Sequence, residues 1–234
     1  SRNVELRQRQ YEAAANPERC LGLARRFVAA KIANSRVLLR RNHPGRPADA
    51  VDTLGRLAEQ AASTGSLDSL LGLEGRAARV YFSQFGGMLK PPDGESTEFA
   101  FDFDGRNRRP PRDPVNALLS YAYSLLTKDF TVVLLAVGFD PYLGFFHRPK
   151  WGKPALALDL MEEFRPVIAD SVVLTVINNG ELKPGDFVRR AGGVMLTESG
   201  RRKFIEAYER RMDTMVRHPV FGYSISYRRV LEVQ

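Results

Sequence analysis

The chain is 234 residues long, 44% hydrophobic and 26% charged, a composition that fits a globular fold with a proper core and excludes a disordered or fibrous chain. Cys20 is the only cysteine, which excludes an internal disulfide and any cysteine-rich zinc or iron–sulfur site within this stretch. The 35 Lys and Arg against 27 Asp and Glu give a formal charge of +8, dominated by arginine, and that excess suits phosphate. The longest apolar run, FTVVLLAVGF at 130–139, is too short to span a bilayer and no signal-peptide pattern opens the chain, so a cytoplasmic protein is expected, with no membrane role. The chain has no initiator Met and starts on a polar, helix-like segment, so it reads as a fragment of something longer.

Residues 4–13 are polar with a helical pattern. Asn16-Pro17 is a start signal, an N-cap followed by proline at the first helical position. The helix it opens runs to the breakers at 42–47, with Leu21, Ala24, Val28, Ile32, Leu38 and Leu39 inward and its arginines outside. Between Glu18 and Asp49 there is no acidic residue, while Arg19, Arg25, Arg26, Lys31, Arg36, Arg40, Arg41 and Arg46 accumulate. A solvated helix usually mixes signs, so this surface points to nucleic acid. A second helix is expected at 48–62.

Ser66 caps a long helix whose inward stripe is Leu67, Leu70, Ala77, Ala78, Tyr81 and Phe85. Glu74 lies on that stripe, where a carboxylate is costly unless it is paired or holds a cation. One explanation is a buried pair with Arg76, Arg79 or another arginine; the other is a metal ligand. Residues 90–113 form a Pro/Gly/Arg-rich loop, with an extended piece expected at Phe99, Phe101 and Phe103. Its Asp102 and Asp104 fit turn chemistry, and Arg106, Arg108, Arg109 and Arg112 suit phosphate.

Asp113-Pro114 repeats the cap-plus-proline signal and starts one long or two abutting apolar helices, with Asn116 in the first turn, where its amide meets either a ligand or the backbone. After Asp140-Pro141 a short turn ends at His147, a core histidine or a ligand beside the basic Arg148, Lys150 and Lys153. The stretch ALALDLMEEFRP at 155–166 carries Asp159 and Glu162 three positions apart, on one side of a helix. Pro166 has no N–H, which strips the Glu162 carbonyl of its helical partner and should kink the helix there. As a plain amphipathic helix, this segment would turn Asp159, Glu162, Glu163 and Asp170 to water; as a site, it would use the acids as ligands. A hairpin is expected at 187–197, turning at Gly192-Gly193, then a last full helix from Thr197 to about His218, and a helix beginning at the C-terminus.

Glu74, His147, Asp159 and Glu162 together suit Mg²⁺, or better Mn²⁺, and basic helices around them suggest phosphodiester chemistry. No Walker loop, Ser–His–Asp spacing or zinc-helix motif competes. The blocks LEGRAARVYF (73–82), FDGRNRRPPRDPVNALLSYAYSLL (103–126), GFDPYLGFFH (138–147) and ALDLMEEFRP (157–166), with the basic helix LARRFVAAKIANSRVLLRRN (23–42), resemble the Cas1 endonuclease/integrase family of CRISPR adaptation, over nearly the whole chain and in the right order.

The resemblance implies an all-α, multi-helix catalytic domain over 1–234 with one small β-hairpin, residues 1–16 being a linker or first helix. The family's N-terminal β domain has no counterpart in this stretch. It implies metal ligands at Glu74, His147 and Glu162, with Asp159 as a support or second ligand. Asn116, Lys150 and Arg165, with Arg36, Arg40, Arg41, Arg108 and Arg109, are expected to contact DNA. The implied reaction inserts short foreign DNA into a CRISPR array, a 3′-hydroxyl attacking a repeat phosphodiester. The implied partners are double-stranded and branched DNA, a second copy in a homodimer, the small ferredoxin-like Cas2 protein, and an iron–sulfur Cas nuclease, fused or separate. Two rival readings are a metal nuclease of branched DNA that does not integrate, and a non-catalytic basic DNA-binding module.

Overall fold

The structure, a computed structural model, describes residues 3–90, 99–107, 110–217 and 222–233. Among these are nine α-helices and two small two-stranded sheets. The first three full-length helices form one layer: α2 (Pro17–Asn42), α3 (Ala48–Ser63) and α4 (Leu67–Phe85) pack on one another. Asn16 caps α2 by accepting from the N–H groups of Glu18 and Arg19 at 2.9 and 3.1 Å, and Ser66 caps α4 by accepting from Ser69.

The second layer is built on α5 (Pro114–Val137), a single unbroken helix. Asp113 caps its start, and Gly138, at φ 115°, ends it in the left-handed conformation that only glycine adopts without cost. By length and composition α5 could cross a membrane, contrary to the expectation drawn from the shorter run at 130–139. In the fold it is the core helix, packed against α6 (Ala155–Met161), α7 (Ser171–Asn178) and α9 (Tyr227–Val233). Phe99, Phe101 and Phe103 form no strand; their rings pack on the core instead, Phe101 on Phe187 and Phe103 on Phe85.

The two layers meet at a broken helix. After α6 the ladder stops at Met161 and resumes as a π-helical turn over Arg165–Asp170 before α7. Pro166 supplies no N–H to that ladder, and a π turn leaves carbonyls without their usual donors. Two are taken from outside: Asn34 of α2 donates to the Glu163 carbonyl at 2.8 Å, and Arg211 of α8 (Glu198–Met212) donates to the Val167 carbonyl at 2.5 and 3.0 Å. The break is thus part of the packing between layers.

Two turns depart from the sequence reading. Strands β1 (Phe187–Arg190) and β2 (Gly193–Leu196) pair with Arg190 opposite Gly193, so the turn residues are Ala191 and Gly192, at φ 48° and 74°. Gly193 is a strand residue whose missing side chain admits Pro110: a Cβ there would stand 2.7 Å from the Pro110 Cβ. Helix α8 ends at Met212 rather than near His218, because β3 (Met215–Arg217) pairs with β4 (Ser224–Ser226) in a second sheet that periodicity did not announce. His218 lies outside the described residues.

Helix α1 (Val4–Ala14) has an architectural task that its polar sequence hides. Gln10, 3% exposed, donates to the carbonyls of Asp140 and Leu143 at 2.8 and 2.9 Å and accepts from the Asp140 N–H at 2.8 Å. It fixes the turn that leads to His147. Gln10→Ala leaves three part-buried backbone groups to find other partners, and should cost about 1–2 kcal/mol in urea unfolding; a change under about 0.5 kcal/mol would show that the turn holds without it.

Candidate active site

Asp159 is fully buried on α6, with no exposed surface. Its carboxylate accepts from the backbone N–H groups of Phe145, Phe146 and His147 at 2.6, 2.9 and 2.8 Å, and from His147 Nδ1 at 2.7 Å. The loop is therefore wrapped on one carboxylate. The wrap requires Gly144, where a Cβ would lie 2.7 Å from Asp159 Oδ2 and 2.9 Å from Ala155. With Nδ1–H donating to Asp159, the lone pair of His147 is left on Nε2, the state in which imidazole ligates metals.

His147 Nε2 faces Glu162 Oε1 at 3.8 Å. Glu162, at the break after α6, is 1% exposed and also meets Arg165 at 3.1 Å and Lys31 at 2.6 Å. Burial pushes its carboxyl up, but the adjacent Arg165 and Lys31 charges outweigh burial and hold it down at about 2. Lys31 of α2 reaches Glu74 Oε1 of α4 at 2.5 Å as well. Glu74, Glu162 and His147 thus line one pocket of about 420 Å³, with Lys31, Lys153 and Arg165.

The acids of the broken helix do not face water, as a plain amphipathic helix would have them: Asp159, Glu162 and Asp170 are all buried. Asp170 accepts from the hydroxyls of Tyr81 and Tyr123 at 3.0 and 2.6 Å. Burial raises its carboxyl to about 6, against the lowering effect of the Tyr123 and Tyr81 hydrogen bonds and of Arg165. The Tyr123 ring in turn carries the guanidinium of Arg165, 4.9 Å from its centroid, and that of Arg106 at 5.5 Å. Glu163 is pushed up to about 7 by burial.

The partner of Glu74 is Lys31 on another helix, not Arg76, Arg79 or another arginine. Three residues expected at DNA turn inward. Asn116 is fully buried, with Oδ1 accepting from Arg106 and the Asn107 N–H, and Nδ2 donating to Gly105 and Asp113. All its groups are used to pin the 105–107 loop to the start of α5. Arg36 lies across Gly55 and donates to the Val51 carbonyl at 2.9 Å, and Arg165 is held between Glu162 and Tyr123. Arg40, Arg41 and Lys150 are exposed, whereas Arg108 and Arg109 lie outside the described residues.

Sequence reasoning gave Lys31 no role of its own, counting it only among the basic residues of the acid-free stretch 19–48. Its position three after Val28 and four before Ser35, both buried, was the signal that it edges the inward face. The tyrosine pair around Asp170 left no such trace.

Comparison with known proteins follows the same blocks. The family model for CRISPR associated protein Cas1 matches residues 1–210. The chain belongs to the Cas1 family. It is 57% identical to a CRISPR-associated exonuclease Cas4/endonuclease Cas1 fusion of Geobacter sulfurreducens, covering 100% of this chain and 42% of the fusion. It is 43% identical to a CRISPR-associated endonuclease Cas1 of Thermus thermophilus, over 100% of this chain and 67% of that one. The chain therefore spans about two-fifths of the fusion relative and two-thirds of the stand-alone one. Among solved structures it superposes on a casposase bound to integration product with a TM-score of 0.83 at 27% identity, over 100% of this chain and 63% of that one. It also superposes on a chain of a partial Cas6-RT-Cas1–Cas2 complex with a TM-score of 0.80 at 28% identity, over 96% of this chain and 65% of that one.

A residue whose acid is raised by the fold stabilises it most when protonated. For Asp170 that contribution is complete below about pH 3.8, is lost as pH rises toward 6, and is absent above. Unfolding free energies of the wild type and Asp170→Asn, compared from pH 4 to 7.5, should differ by a term that falls by about 2–3 kcal/mol across this window and is flat beyond it. Glu163 titrates in both proteins and cancels. A difference independent of pH would mean that Asp170 is ionised throughout.

Proposed function

We propose that this chain is the catalytic part of a metal-dependent DNA endonuclease/integrase, which joins the 3′-hydroxyl of a short DNA to a phosphodiester of a CRISPR repeat. The observation that carries the reading is the convergence of Glu74, Glu162 and the Nε2 edge of His147 on one pocket, with Asp159 fixing the imidazole from behind. Among the described residues no three acids or histidines already form a finished ion cage. Instead, the two carboxylates close on the Lys31 ammonium. Glu162 Oε2 is buried, and its close partner is the Lys31 ammonium at 2.6 Å, met off the usual hydrogen-bond angle. An acceptor oxygen so placed, beside a second carboxylate and an imidazole nitrogen, fits Mg²⁺ or Mn²⁺.

Glu74, His147 and Glu162 would hold the ion, which when bound supplies charge against a phosphate oxygen and favours the ionised nucleophile. The protein's own residues set the rest. Asp159 keeps the His147 proton on Nδ1, so that Nε2 stays an acceptor. Arg165 keeps Glu162 ionised, and the Tyr123–Asp170 pair holds Arg165 in place. Exposed Arg40, Arg41 and Lys150 bind backbone phosphates without reading bases. In the transfer, the 3′-oxygen bonds to phosphorus as the bond to the departing 3′-oxygen of the repeat breaks, so the number of phosphodiesters is unchanged. Water in place of the 3′-hydroxyl gives plain cleavage.

The proposed partners are double-stranded and branched DNA, a second copy, the small Cas2 protein and a Cas nuclease, in the cytoplasm. The relatives' names support the last two, being a Cas4/Cas1 fusion and chains of Cas1–Cas2 complexes.

Strand transfer of labelled DNA by the full-length protein, across a Mn²⁺ titration, tests the reading. Glu74→Ala, His147→Ala and Glu162→Gln should be inactive at every concentration with their helical content intact. Asp159→Asn, which touches the site only through His147 and its loop, should lose about 10–100-fold and recover part of it at high Mn²⁺. A dead Asp159→Asn beside a rescued Glu162→Gln would reverse the two roles, and hydrolysis without joining would leave a nuclease.

For DNA binding, Arg40→Ala with Arg41→Ala should flatten the dependence of log affinity on log salt by about one unit for each phosphate no longer held. An unchanged slope would make both arginines ordinary surface charge.

A further inference from the structure

Lys31 touches both carboxylates assigned above to the ion. Its side chain is 16% exposed, with Nζ 2.5 Å from Glu74 Oε1 and 2.6 Å from Glu162 Oε2. The two interactions are unlike. The first has regular hydrogen-bond geometry; the second is as short but lies off the usual angle. An ammonium is a compact point charge that cannot satisfy both carboxylates in the fork geometry an arginine would offer. It neutralises one of two negative charges brought together by α4 and the helix break, and it does so with a geometry that suits only one of them.

A divalent cation held by the same two carboxylates would lie within a few ångströms of the ammonium, and like charges at that separation repel in a partly buried site. One of the positive groups has to move. Arg165 is held by Glu162 and by the face of Tyr123. Lys31 hangs on a flexible four-carbon stem and borders the pocket of about 420 Å³, which gives it room to withdraw. Withdrawn, its charge lies where a DNA phosphate approaching Glu74 and Glu162 would need one.

Resting on the metal-dependent reading of this site, we propose that Lys31 is an exchangeable internal counter-ion. It holds Glu74 and Glu162 together before a divalent ion enters, gives way to that ion, and then offers its ammonium to a phosphate of the bound DNA. The same lysine would thus keep the two neighbouring carboxylates from repelling each other in the ion-free protein and hold a phosphate in the loaded one.

The test uses the full-length protein and Mn²⁺ alone, followed by calorimetry and by the paramagnetic resonance of the free ion. Lys31→Gln removes the competing charge and should bind Mn²⁺ at least about 10-fold more tightly than the wild type, and Mn²⁺ should raise its melting temperature by more. With Mn²⁺ saturating, the same variant should bind DNA more weakly, with a salt slope reduced by about one unit. Affinity for Mn²⁺ no greater than the wild type's would overturn the proposal. Should Lys31→Gln fail to fold, the wild type still decides. Reductive methylation read by mass spectrometry should modify Lys31 slowly without Mn²⁺ and faster with it, and equal rates would sink the exchange. Absence of Mn²⁺ binding by the wild type would overturn the metal reading and this inference together, whereas binding with an unmoved Lys31 overturns the inference alone.

Discussion

Much of this protein depends on burying one carboxylate. Asp159 has no exposed surface; three backbone N–H groups and an imidazole N–H satisfy it. A buried carboxylate left without donors would be costly, so the loop at 145–147 has to close on it. Closure determines where His147 stands, which of its nitrogens carries the proton, and why position 144 has no side chain. The loop is also gripped from its other side by Gln10, so α1 and α6 jointly aim a single imidazole.

Around that fixed imidazole the charges are balanced in alternation. Glu74 faces Lys31, Lys31 faces Glu162, Glu162 faces Arg165, and Arg165 lies on a tyrosine whose hydroxyl ends on Asp170. Glu162 and Asp170 are buried, so the ionisation of each is set by burial and its neighbours more than by water. The row shows the opposite extremes: Glu162, between two cations, is held at about 2, and Asp170, bonded to two neutral hydroxyls, rises to about 6.

The helical architecture was legible because it rests on local rules. Asn16-Pro17, Ser66 and Asp113-Pro114 cap the helices they were expected to cap, and Pro166 marks a real break. Glu74 stood out by lying on an apolar line, the family's blocks pointed to His147 and Glu162 as well, and the three line one pocket. What could not be read is whatever depends on a partner remote in the chain. Lys31 resembles its outward neighbours until α4 and the helix break are packed beside it, and Arg36 looks like a DNA-binding residue until α3 offers it a carbonyl. The second sheet failed for the same reason, since Met215–Arg217 becomes a strand only through Ser224–Ser226. Gly192-Gly193 misled in a smaller way, because two adjacent glycines serve different ends: one bends the chain, the other lets Pro110 approach.

The carbonyls freed at the helix break have a consequence for how the molecule assembles. They are capped by Asn34 and Arg211, residues that stand 129 and 44 positions away from their acceptors. The turn that orients Glu162 and Arg165 therefore cannot settle from local sequence; it matures only after an early helix and a late one have both docked on it. Long-range contacts of this kind generally form more slowly than local ones, so the geometry around Glu162 and Arg165 is expected to be set late. A chain still lacking α8 would leave the Val167 carbonyl without the Arg211 donor that helps hold the turn in shape.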